Sequence, residues 1–333
     1  KREVTYFERD TEKFPFMEKE KKYTFGEGDA IIKAALGKLD PQFAETFTEF
    51  MSEGRADLGK RNGKPATGRC FYSGLAFPSA LRAAFPGEDT ENKTGTKKEL
   101  LTFGHESGHA LSFILMQEAQ TTEFYYPASN ATTEPIGKLF ERLVFEEMVQ
   151  RAKSPEETFA LNVIKLRNDM NAIYRPIAFY AFENEMHKTV EANGSITQTQ
   201  IDTLFVKHMR NYLGDSVSFP PGTEKSWMSV PNIRENIPFQ TYPYSSGQLF
   251  AEVTQKKLAS GEVTPEMVKD FLATGSSTSP QAIFEKVGFD ISDPQIWEKG
   301  LTNIAQELEE VITQARSLGY IDADLDAREN TTA

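Results

Sequence analysis

Apolar residues return every three or four positions through most of this chain, and that spacing restricts it to a fold built largely from helices. DAIIKAALGKL (29–39), PQFAETFTEFM (41–51), KELLTFGHESGHALSFILM (98–116), PIGKLFERLVFEEMV (135–149), TQIDTLFVKHM (199–209), SGQLFAEVTQKKLAS (246–260) and PQIWEKGLTNIAQELEEVITQA (294–315) all repeat in this way. On a helix of 3.6 residues per turn such positions form one stripe, which must be buried against another element. A further helical stretch runs from Ser154 to Asn193 and contains Pro176. Proline lacks the donor N–H and crowds the preceding turn, so two helices or one bent helix are expected there. Residues 64–86 break the helical period with irregular glycine, proline and apolar residues, and a small sheet is expected in them. Gly, Pro, Ser and Asn mark loops at 86–96, 213–238 and 274–280. The expected fold is mainly α with a small β-sheet.

With 333 residues and 39% hydrophobic content, the chain can bury a large core. Its net charge of -12 argues against nucleic acid or an anionic membrane as partner, because both need clustered Lys and Arg. Peptides or small solutes are the expected partners. One cysteine, Cys70, excludes an internal disulfide framework, and no apolar run approaches the length of a bilayer span. A cytoplasmic location is expected, for a whole protein or a piece processed from a longer chain.

Two of the four histidines lie in TFGHESGHALS (102–112). Thr96 and Glu99 read as a capping box, which starts a helix near Lys97. His105 and His109 are then one turn apart on one face, the spacing at which two imidazoles share a single metal ion. Glu106, one step round, reaches a water that the metal would activate and is the expected general base. A catalytic zinc needs a third protein ligand and one open position. His187 and His208 qualify by type, but each sits among charged neighbours in an amphipathic stretch. Glu134 is the better candidate. It opens the helix TTEPIGKLF with Thr132 or Thr133 as cap and Pro135 in the first turn, and a helical hairpin would return it toward the first helix. Glu141, seven residues on, shares its face and is placed to hold a ligating imidazole.

HExxH followed after 25 residues by a Glu-Pro helix start resembles the M3 metallopeptidases, the oligopeptidase F and thimet oligopeptidase group. GKRNGKPATGRC (59–70) is similar to that family's segment ahead of the sheet, LATGSSTSPQAIFEKVGFDI (272–291) to its turn before the last helices, and IPFQTYPYSSGQLFAE (237–252) to its aromatic segment. The resemblance covers nearly the whole chain and only the catalytic half of the family. It implies a zincin-like (gluzincin) helical catalytic domain, with residues 1–95 as N-terminal helices and small sheet leading into the active-site helix, and 96–333 as the metallopeptidase core. These two parts are expected to form one continuous domain.

The resemblance further implies one zinc ion held by His105, His109 and Glu134, with Glu141 in support and Glu106 as base for hydrolysis of peptide bonds in oligopeptides. Tyr242 and Tyr244 are the implied donors to the transition-state oxyanion. A histidine that family members carry before the aromatic segment is absent from SWMSVPNIRENIPF (226–239), leaving Asn232 or Arg234 as replacement donors, and Ser112 stands where many relatives have another histidine. A strand within 79–86 is expected to pair with extended substrate. Because family members enclose the site between two helical halves, a separate chain or an N-terminal portion is expected to cover the groove, which is otherwise open. The alternative is a catalytically impaired peptide-binding protein derived from such a peptidase, although an intact HExxH retains a base that binding alone does not need.

Overall fold

A computed structural model describes residues 4–9, 21–65, 67–72, 78–87, 93–119, 121–126, 129–230, 233 and 238–321. Short strands β1 (Val4–Thr5) and β2 (Tyr23–Thr24) precede helices α1 (Phe25–Leu39) and α2 (Pro41–Ser52). Strands β3 (Ala56–Asp57), β4 (Arg69–Phe71), β5 (Ala80–Arg82) and β6 (Thr94–Gly95) lead into α3 (Lys97–Glu118), α4 (Asn130–Gln150), α5 (Pro155–Asn193) and α6 (Gln198–Leu213). After β7 (Val217–Ser218) come α7 (Tyr242–Ser260), α8 (Pro265–Ala273), α9 (Pro280–Glu285) and α10 (Pro294–Ser317). The mainly α expectation holds. No helix among the described residues is long and apolar enough to cross a membrane.

Local chemistry sets most boundaries. Thr24 with Glu27, Thr96 with Glu99 and Thr197 with Gln200 form capping boxes at α1, α3 and α6. Prolines 41, 155, 265, 280 and 294 each occupy the first turn of a helix, where the missing N–H costs no hydrogen bond. Gly194 ends α5 at φ 74°, a backbone conformation that side chains disfavour.

Pro176 neither ends nor splits α5, which runs through it as one helix. The N–H that proline lacks would have bonded to the carbonyl of Ala172. The single Ser245 hydroxyl proton of α7 is shared between the Ile173 carbonyl at 2.7 Å and, more weakly, that of Ala172 at 3.4 Å, so a neighbouring helix supplies a donor to the opened turn.

Helices α3 and α4 form a hairpin; α7 lies on α4, while α1 packs on α2 and α4. Their apolar stripes meet in one core that includes Phe43, Phe47, Phe103, Phe140, Phe250 and Phe271. A second cluster joins Tyr6, the later part of α5 and α6 around Phe182 and Phe205. The small sheet has order β3-β5-β4, with β3 parallel and β4 antiparallel to β5. This corrects the expectation that the strand in 79–86 pairs with substrate. As β5 it is the central strand, bonded on both sides, and β4 is the edge strand that packs on α3.

Candidate metal centre

The capping box at Thr96 fixes where α3 starts and hence which face His105 and His109 share. Their Nε2 atoms are 3.1 Å apart. Glu134, in the second turn of α4, brings Oε2 to 3.5 Å from His105 Nε2, and the ligand atoms of all three residues lie within 4.8 Å of one another. Bonds of about 2.0–2.1 Å in a tetrahedral zinc site put ligand atoms about 3.3–3.4 Å apart. The two measured separations bracket that value. Two imidazole nitrogens and one carboxylate also match the donor set of a catalytic zinc with one position open. The residues present fit the ion.

His105 is held from behind. Its Nδ1 is 3.4 Å from Glu141 Oε2, and Glu141 is paired with Lys138 at 2.8 Å. A proton on Nδ1 directed to Glu141 leaves the Nε2 lone pair facing the centre. Burial disfavours the Glu141 anion, but Lys138 and His105 outweigh it and hold the carboxyl down at about 2. Burial also disfavours a charged His105, against which Glu141 and Glu134 raise its pKa; His109, with burial and His105 acting together, is pushed well below the usual range. This favours neutral His109, the form in which imidazole ligates.

Glu106 is 6% exposed. Burial pushes its carboxyl up to about 7, with the Glu134 charge adding to the effect, while His105, the Cys70 N–H and Arg82 pull it back. A carboxyl poised near neutrality suits a group that must both accept and return a proton.

Two glycines that the sequence did not single out shape the centre. A Cβ on Gly137 would stand 2.5 Å from His105 Cε1 and Nε2, so α4 passes over the imidazole only because that residue has no side chain. A Cβ on Gly68 would stand 2.5 Å from Glu106 Oε1, letting the backbone ahead of β4 close over the base. The available signal was Gly137 itself, a glycine inside a strong helical pattern, where it costs about 1 kcal/mol relative to alanine and so calls for a packing reason. Gly137→Ala is expected to displace the His105 ring and weaken zinc binding by about 10- to 100-fold, the scale of lost support for a ligand. Competition with a zinc chelator dye measures this, and unchanged affinity would refute the role.

The start of α4 is corrected. Neither Thr132 nor Thr133 caps α4; the cap position is Ser129, whose carbonyl accepts from both threonine hydroxyls. Glu134 and Pro135 thus lie inside the helix rather than at its first residues. Tyr242 and Tyr244 are two residues apart at the start of α7, about 200° around its axis. Gly247 packs on the backbone of Glu134 and Pro135, and Tyr244, three residues before it, shares that face. Tyr242 is 45% exposed and meets Tyr180 edge-on, with ring centroids 6.3 Å apart. Asn232 and Arg234 lie outside the described residues. His208 pairs with Glu185 at 2.8 Å, His187 packs on Phe239, and the Ser112 hydroxyl donates to the Leu272 carbonyl at 2.8 Å.

Comparison with known proteins agrees with the sequence resemblance. The profile of Peptidase family M3 matches residues 45–303. The chromosomal oligoendopeptidase F of Lactococcus lactis subsp. cremoris is 23% identical over 304 residues, covering 89% of this chain and 48% of that protein. Oligopeptidase PepF of Bacillus subtilis is 22% identical over 298 residues, with coverage of 87% and 42%. The chain thus spans about half the length of the curated relatives it matches. Among solved structures, oligoendopeptidase-F from Enterococcus faecium aligns with a TM-score of 0.55 at 21% identity, over 66% of this chain and 40% of that one. A TM-score of 0.67 at 14% identity relates the chain to PZ peptidase A with an inhibitor, over 86% of this chain and 49% of the other. With the family profile matching well over half of its residues, this chain belongs to peptidase family M3.

Proposed function

We propose that the chain is the catalytic part of a zinc-dependent peptidase that hydrolyses peptide bonds in oligopeptides. The observation that supports this most directly is the convergence of His105, His109 and Glu134 with the buried carboxyl of Glu106 beside them. The first three would hold the ion. When bound, zinc supplies Lewis acidity, polarising the scissile carbonyl and making a water acidic near neutral pH.

The protein side chains do the rest. Glu106 takes a proton from the attacking water, holds it in a pocket that favours its neutral form, and releases it to the departing amine. Glu141 and Lys138 keep His105 in the tautomer that presents Nε2. Tyr244 is the donor assigned to the developing oxyanion, a contact worth about a hundredfold in rate. The outer edge of β4 holds the substrate backbone as an added strand.

The test is zinc content together with cleavage of an internally quenched peptide. About one zinc per chain, loss of cleavage in 1,10-phenanthroline and its return with added zinc are expected. Zinc bound without cleavage would favour the binding protein instead. The groove's width is tested by a peptide ladder and one folded protein: without a covering chain or N-terminal portion, cleavage should tolerate long substrates. A sharp cut-off at short peptides for this chain alone would defeat the open groove.

A further inference from the structure

Arg69 on β4 and Arg82 on β5 stand directly opposite each other in the antiparallel register. Strand alternation turns Cys70 and its partner Leu81 toward the core, which puts both arginines and Phe71 on the outer face. Their guanidinium carbons lie 5.4 Å and 5.7 Å from the centroid of the same Phe71 ring. Like charges directly opposite in a sheet repel, and neither arginine forms a direct ion pair among the described residues. Arginines flanking β3 of the same sheet do have one: Arg61 clasps Asp57 at 2.6 and 2.9 Å, and Arg55 reaches Glu53 at 3.0 Å. In a chain with 49 acidic and 37 basic residues, two adjacent arginines without a directly paired acid form a local positive field against the general one.

The pair borders the candidate metal centre. Arg82 Nε donates to the Thr67 carbonyl at 3.4 Å, which lays its head group across the start of β4. The next residue, Gly68, abuts Glu106, and the Arg82 charge is felt at that carboxyl. A peptide added to the free edge of β4 would advance about 3.3–3.4 Å per residue and direct alternate side chains to the outer face, over Arg69 and Phe71. We propose that Arg69 and Arg82 form a carboxylate-binding ledge that holds an anionic group of the peptide two or three residues from the bond to be cut. Guanidinium forks match carboxylates bidentately, and Phe71 offers an apolar floor for the carbon chain that carries the acid.

The inference takes its ligand from the peptidase reading, so its test measures binding rather than turnover. Zinc-loaded Glu106→Gln protein is titrated against dye-labelled peptides of one sequence that differ only in charge: C-terminal acid, C-terminal amide, and amide with an internal Gln→Glu change. Binding about tenfold or more tighter for the acid or the Glu peptide than for the neutral amide is expected, fading as salt rises. The favoured peptide identifies the source. A preferred C-terminal carboxylate predicts that wild-type protein releases di- or tripeptides, and a preferred side chain predicts internal cuts.

Adding Arg69→Gln and Arg82→Gln should reduce the preference to less than about twofold without lowering the melting temperature, since a like-charge pair is removed. Lysine at both positions should keep a partial preference. Equal affinity for charged and neutral peptides, or a preference that survives the double glutamine change, would overturn the ledge. Cleavage by wild-type protein without charge preference removes the ledge alone, and charge preference without any cleavage removes the peptidase reading alone.

Discussion

Replacing Glu106 by glutamine is expected to lower peptide hydrolysis by about 10²–10⁴-fold, the contribution of a positioned acid–base group, while zinc content stays at the wild-type level. Glutamine keeps the shape of the side chain, so the packing under Gly68 is preserved. It cannot take a proton from water. Because Glu106 is not among the groups whose ligand atoms converge, metal affinity should be insensitive to the change. Single-turnover cleavage of a quenched peptide and metal analysis on the same sample separate the two effects. Retained activity would remove Glu106 from the mechanism, and lost zinc would make it a structural member of the centre.

What the sequence made legible was what local chemistry determines. The capping box at Thr96 and Glu99 placed α3, and once its start is fixed the four-residue spacing of His105 and His109 leaves no freedom about their shared face. Glu134 was legible through its distance from His109 and the adjoining proline, although its depth in α4 was misjudged. The boundary moved because Ser129, Asn130 and Ala131 extend the helix ahead of the threonines, whose hydroxyls turn back to the Ser129 carbonyl.

Features that depend on a neighbour from elsewhere in the chain were hidden. Pro176 carries a helix-breaking signal, but whether a helix breaks depends on whether another group serves the opened turn, and Ser245, which does, is 69 residues away. Strand order is equally non-local: β3 has only two residues and no periodicity of its own, yet it pairs with β5 and leaves β4 at the edge. Gly137 and Gly68 are ordinary glycines until His105 and Glu106 are brought against them. The separation of Tyr242 from Tyr244 was legible in principle, since it follows from reading that segment as a helix rather than an aromatic loop.

Lys165→Met is expected to destabilise the fold by about 3–5 kcal/mol, the cost of removing one partner from a buried ion pair. The buried Lys165 ammonium donates to Asp169 at 2.6 Å, to Glu252 at 3.0 Å and to Glu307. These three carboxylates come within 4.8 Å of one another, a grouping that would suit a metal ion if the ammonium did not already fill it. Glu252 is fully buried and also faces Arg142 Nη1 at 3.3 Å. Burial pushes its carboxyl up to about 9 with Asp169 and Glu307 adding to the rise, and against the pull of Arg142. A folded-state value raised above the ordinary 4.5 means that its contribution to stability is fully present below about pH 4.5 and is lost as pH rises toward 9. Without Lys165 the three carboxyls keep Arg142 as their shared counter-charge, so one more of them must hold a proton in the folded state and stability falls further as pH rises. The gap in melting temperature between wild-type and Lys165→Met protein should therefore be wider at pH 8.5 than at pH 5.5. Equal gaps at the two pH values would mean that the lysine contributes packing alone and that the three acids share their charge in some other way.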